Sequence, residues 1–192
     1  MFRDKTKILC VDVEMTCWDT PVPPEGQRSE IIQIGYCFLD TNTLQIEHKN
    51  ALYVRPVHSQ VSAFCTELTG ITPKQARSGI PLSSAVKNLI CKAGSRRFAW
   101  AGWGDEREPF LDEMKESGIE YPFNEQYLDI SSLSTLFLNL PMRQSLDSAL
   151  KQYGMDFDGR RHDGADDAYN QARILARLMQ YSREGRKLDF KA

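Results

Sequence analysis

The stretch Lys7 to Val13, KILCVDV, constrains this chain more than any other. It is short, apolar and rich in β-formers, so it reads as a strand. Asp12 interrupts it, and a buried strand rarely holds a carboxylate without a partner. Glu14 follows two residues on, and residues two apart in a strand point to one face. Two carboxylates on one face, flanked by Val11 and Val13, repel each other unless a cation or a shared proton relieves them. Paired hard oxygen ligands suit Mg²⁺ or Mn²⁺. A strand end whose acids reach water explains the tripeptide equally well.

The segment Asp19 to Arg28, with Pro21, Pro23, Pro24 and Gly26, reads as a loop. Ile31 to Leu39 and Leu44 to Val54 read as strands joined in a hairpin. Helices are expected over Ser83 to Lys92, Glu108 to Ser117, Ser145 to Tyr153 and Asp166 to Tyr181, with short strands at Arg97 to Ala101 and Gln126 to Ile130. The last helix carries Ala168, Ala172, Leu175 and Ala176 at helical spacing. A strand meander followed by alternating strands and helices gives an α/β domain, a mixed sheet with helices packed on it.

With 192 residues, 41% hydrophobic and 26% charged, the chain suits one domain spanning 1–192. A net charge of -2 does not announce a nucleic-acid binder, although bound cations can supply the charge that faces phosphate. Cys10, Cys17, Cys37, Cys65 and Cys91 form no C-x-x-C pattern, and we expect reduced thiols in a cytoplasmic setting. From the charged start we expect no signal peptide, and no stretch approaches the ~20 apolar residues of a membrane span.

Further acids recur where chemistry needs them. Asp105 follows an expected strand in Trp103-Gly104-Asp105-Glu106, where a helix N-cap would explain it too. Asp166 and Asp167 open the last helix, where the dipole favours acids, and His162 precedes them in a loop. His is the side chain best suited to accept a proton near neutral pH, whereas His48 and His58 lack acidic company and read as surface residues. Asp12, Glu14, Asp105, Asp167 and His162 together form one physical proposal, in which two divalent cations about 4 Å apart support phosphodiester hydrolysis.

The arrangement Asp12-x-Glu14, then Asp105, then His162-x4-Asp167 resembles the DEDD superfamily of 3′-5′ exonucleases in its histidine-containing branch, and within it the enhanced-RNAi (Eri-type) exoribonucleases. VDVEMTCWD (Val11 to Asp19), FCTELTGIT (Phe64 to Thr72) and YGMDFDGRRHDGADDAYNQARI (Tyr153 to Ile174) carry the likeness. It implies a ribonuclease H-like fold with a five-stranded mixed sheet flanked by helices. It implies that Asp12, Glu14, Asp105 and Asp167 bind two Mg²⁺ or Mn²⁺ ions, with His162 as general base. Met15 and Thr16 would contact the terminal nucleotide, and Phe64 to Leu68 would stack against its base and ribose. Gly104 separates Trp103 from Asp105, a departure from the family pattern, which leaves Asp112 as a fallback. Within these 192 residues we expect no extra nucleic-acid-binding module of the kind some eukaryotic relatives carry.

Other residues keep two readings. Phe64 serves as core or as base platform, and Trp100 and Trp103 as core or substrate wall. Arg160 and Arg161 contact phosphate or solvate a loop. Asp166 reads as a helix acid, and Asn170 as an orienting partner of Asp167. The expected activity is 3′-5′ exoribonuclease on single-stranded RNA or 3′ overhangs, releasing nucleoside 5′-monophosphates, with RNA as partner. A proofreading-type DNA exonuclease and a non-catalytic binding module are the alternatives; the second is disfavoured by the presence of every expected ligand.

Overall fold

The computed structural model describes residues 4–185, with side chains from residue 6 onward. Strands β1 (Asp4–Met15), β2 (Ile31–Asp40) and β3 (Ile46–Tyr53) form an antiparallel meander. Strand β4 (Phe98–Gly102) joins β1 in parallel, and β5 (Tyr127–Asp129) joins β4 in parallel. The sheet order is β3-β2-β1-β4-β5, the mixed five-stranded sheet that the sequence led us to expect.

Among the described residues seven α-helices accompany it: α1 (Ala63–Thr69), α2 (Pro73–Ser78), α3 (Leu82–Asn88), α4 (Arg107–Ser117), α5 (Ile130–Phe137), α6 (Leu146–Gln152) and α7 (Gly164–Glu184). The expected helix at Ser83 to Lys92 is α3 followed by a π-helical turn, Leu89–Ala93. The sequence does not announce α1 or α5, whereas the turn Thr69 to Pro73 announces a helix where α2 begins. Helix α5 reads ISSLSTLF, and its Ser and Thr residues are poor helix formers. It forms because Asp129 caps it, accepting the Ser132 amide at 3.1 Å, and because Ile130 packs in the core.

Alternation along β1 divides the core. Leu9 and Val11 join Ala85, Leu89, Trp100 and Phe110 on one face. Cys10 points to the other, where Cys37, Leu150, Ala168 and Leu175 pack. Asp12 and Glu14 share the parity of Cys10, so the same alternation aims both at α7. The register places Asp12 opposite Gly35 of β2. Gly35 has no side chain where the start of α7 descends, and a Cβ there would overlap the Gly164 carbonyl. The helix can therefore lie directly on the sheet beside the two acids.

Candidate active site

Four carboxylates converge at the carboxyl ends of β1 and β4. Asp12 and Glu14 come from β1, Asp167 from the first turn of α7 and Glu106 from the turn before α4. The Glu106 side chain lies over Gly102, in space that a Cβ at Gly102 would fill, and its carboxylate accepts the Val13 amide. Glu14, His162 and Asp167 each bring a possible ligand atom within 4.8 Å of the others.

The loop that carries His162 is folded by the acids that open α7. Asp163 is the N-cap, with Oδ1 accepting the Ala165 amide at 3.1 Å and the Asp166 amide at 3.2 Å. The Asp166 carboxylate accepts the Arg160 amide at 2.6 Å, and the Asp167 carboxylate accepts that of His162. His162 sits in the left-handed region at φ 58°, unusual for a residue with a side chain, and its ring is exposed. Beneath it the buried Gln33 holds the helix start, its Oε1 accepting the Gly164 amide at 2.6 Å.

Burial and mutual repulsion disfavour ionisation of the cluster. The Glu14 carboxyl is pushed up to about 8 by burial, then by Asp167 and Asp163; Arg160 opposes the shift. Burial first, then Asp105 and Asp167, pushes Glu106 up to about 8. Asp167 rises to about 7, and Asp12 is raised well above the carboxylate range by burial, Glu106, Asp167 and Glu14. A group of oxygen donors that resist ionising together fits a divalent cation, whose charge would remove the repulsion.

Asp105 is not part of this cluster. It is exposed, and Arg107 grips it through Nε and Nη2, both at 2.7 Å. Asp112, the fallback, lies on the exposed side of α4. The sequence held the signal in the phase of α4. Phe110 is fully buried, and Glu106 precedes it by four residues, on the same helical face, whereas Asp105 is one residue out of phase. Tyr127 and Asp129 of β5 set the turn, donating to the Gly104 carbonyl at 2.5 Å and accepting the Gly104 amide at 3.2 Å respectively.

The expected substrate contacts divide. Phe64 and Leu68, four apart on α1, are 40% and 36% exposed, while Cys65 anchors the helix by donating to the Met15 carbonyl at 3.5 Å. Met15 itself packs against the first core cluster. Thr16 is 1% exposed, its hydroxyl donating to the Arg28 carbonyl at 3.0 Å and accepting the Glu30 amide at 2.9 Å, so its side chain braces the loop. Trp103 donates to the Gln144 carbonyl at 3.1 Å and packs beside the second core cluster, and Trp100 is core, stacked on Phe123. Arg161 is held by Asp147 at 2.5 Å over the Phe157 ring. Arg160 reaches the Glu67 and Leu68 carbonyls at 3.3 and 3.5 Å, tying the His162 loop to α1. Among the described residues Asn170 makes no hydrogen bond to Asp167; it accepts the Asp158 amide at 3.1 Å and donates to the Asp158 and Asp166 carbonyls at 2.9 and 2.8 Å.

The family model described as Exonuclease (RNase_T) matches residues 9–89. The chain is 30% identical to the Drosophila melanogaster 3′-5′ exonuclease Snipper, over 90% of this chain and 69% of that protein. It is similar to the nuclease domain of 3′hExo, described as a DEDDh family member bound to rAMP, with a TM-score of 0.83, 33% identity and 92% of each chain covered. This chain belongs to the DEDDh family of 3′-5′ exonucleases. Within the family it resembles the Eri-type enzymes, sharing 34% identity with human 3′-5′ exoribonuclease 1 over 90% of this chain, which spans about half (52%) of that longer protein. DEDDh exonucleases have a ribonuclease H-like fold and depend on divalent metal, as the donor set here would demand. In this DEDDh chain a glutamate, Glu106, joins the cluster where the sequence pointed to an aspartate.

Proposed function

We propose that this DEDDh domain is a 3′-5′ exoribonuclease that removes nucleoside 5′-monophosphates one at a time from single-stranded RNA or 3′ overhangs. The observation that carries the reading is the convergence of Asp12, Glu14, Glu106 and Asp167 with His162 at one end of the sheet. Asp12, Glu14, Glu106 and Asp167 would hold two Mg²⁺ or Mn²⁺ ions. Ions bound there would supply charge neutralisation at the scissile phosphate and acidify the attacking water. His162 stands at the exposed rim, accepts the proton of that water on its imidazole and passes it to solvent. Phe64 and Leu68 offer an apolar face to the terminal base, and Arg161, released from Asp147, offers charge to a phosphate.

RNA is favoured by the relatives: human 3′-5′ exoribonuclease 1 by name, and the 3′hExo domain by its bound rAMP. The five cysteines are free thiols, which supports a reducing, cytoplasmic setting. The test is a rate comparison on single-stranded RNA and DNA of the same sequence in Mg²⁺. Faster cleavage of RNA supports the reading, and faster cleavage of DNA replaces it with a DNA exonuclease.

A further inference from the structure

Gln171 lies one turn beyond Asp167 on α7, facing the sheet, and is fully buried. Its Nε2 donates to Asp12 Oδ1 at 2.6 Å. Its Oε1 is buried with no hydrogen-bond partner among the described residues. A buried amide with one half unsatisfied is a poor choice for stability, because an apolar side chain of similar size would fill the space without an orphaned acceptor. The one described bond it does make ends on Asp12, the acid raised by all of its neighbours in the cluster. We infer that Gln171 is a positioning residue, which fixes the Asp12 carboxylate and commits one of its oxygens to the amide, leaving the other to face Glu14, Glu106 and Asp167.

The consequence follows from geometry. Asp12 and Asp167 stand on different elements, and Gln171 is the described side chain of α7 that grips Asp12 directly. The amide thus joins strand and helix at the point where their two acids must share a cation. Without the donor, Asp12 is free to rotate away from like charge, and the donor set is no longer preorganised.

This inference rests on the proposed cation site, and the experiment separates the two. Mn²⁺ binding to the nucleic-acid-free protein is measured by calorimetry for the wild type, Gln171→Met, Gln171→Asn and Asp12→Ala, alongside thermal midpoints in EDTA. Gln171→Met is expected to weaken Mn²⁺ binding by about 10–100-fold, the usual cost of losing such a partner. Its cation-free midpoint should be unchanged or raised, because the orphaned acceptor is gone. Gln171→Asn, too short to reach Asp12, should lose affinity similarly and carries the test if the methionine variant fails to fold. Wild-type affinity in both variants would overturn the inference while leaving the site intact. A cation-free midpoint that drops in both would make Gln171 a structural residue and overturn it too. A wild type that binds Mn²⁺ no better than Asp12→Ala would overturn the site itself, and this inference with it.

Discussion

Gly35 of β2 and Gly164 of α7 meet backbone to backbone, directly beside Asp12, and a side chain on Gly35 would occupy the space of the Gly164 carbonyl. This contact sets how closely Asp167 approaches the acids of β1. Gly35→Ala should therefore displace α7. We expect a loss of about 3 kcal/mol or more in denaturant unfolding, at the upper end for overpacking, because the clash is with backbone. Activity should fall further than stability at temperatures where the variant remains folded. A fully active Gly35→Ala would show that the spacing of α7 from the sheet does not set the site.

Asp105 and Glu106 are adjacent acids with opposite surroundings, one paired with Arg107 in solvent and the other half-buried over Gly102. Glu106→Gln should lower kcat by about 10²-fold or more, since a cation-holding carboxylate contributes several kcal/mol of charge stabilisation. Asp105→Asn should keep nearly full activity. Steady-state rates on a labelled oligonucleotide decide, and the reverse ranking would restore Asp105 as the ligand.

That pair shows what the sequence could and could not convey. The paired acids in β1, the acidic start of α7 and the histidine before it are local patterns, legible because strand parity and helix capping are short-range rules. The choice between neighbours in Trp103-Gly104-Asp105-Glu106 depends on the phase of α4. That phase is set by Phe110 docking in a core assembled from β1, β2, α3 with its π-helical turn, and β4. The bracing bonds of Thr16 to Arg28 and Glu30, and of Asn170 to Asp158, were hidden for the same reason, since these partners lie 12 or more residues away. Helix α5 stayed hidden because packing, against its own weak propensity, holds it.

The raised acids make stability depend on pH in a definite direction. Glu14 and Glu106 stand at about 8 and Asp167 at about 7 in the fold, against about 4 for ordinary carboxyl groups. The folded state thus binds more protons than the unfolded chain. Their contribution is fully present below about pH 4 and is lost as pH rises through about 7–8. Thermal midpoints in EDTA should fall from about pH 5 to about pH 8, and Mn²⁺ should raise the midpoint more at the upper end. Midpoints in EDTA that climb across this window would contradict the burial of the cluster.

His162 stands at the rim, with its backbone held by Asp167 and its ring exposed. His162→Ala should slow hydrolysis by about 10²–10⁴-fold while leaving Mn²⁺ binding by the four carboxylates largely in place. Single-turnover rates near pH 7 measure the first effect and calorimetry the second. An unchanged rate would remove His162 from the proton path.

The most direct test is a time course on 5′-labelled single-stranded RNA, run for the wild type and Asp12→Ala with Mg²⁺ and with EDTA. The wild type in Mg²⁺ should shorten the RNA from its 3′ end in single-nucleotide steps, giving a descending ladder that EDTA and Asp12→Ala both abolish. A ladder that survives EDTA or Asp12→Ala, or RNA that stays intact in Mg²⁺, would contradict the proposed chemistry of this cluster.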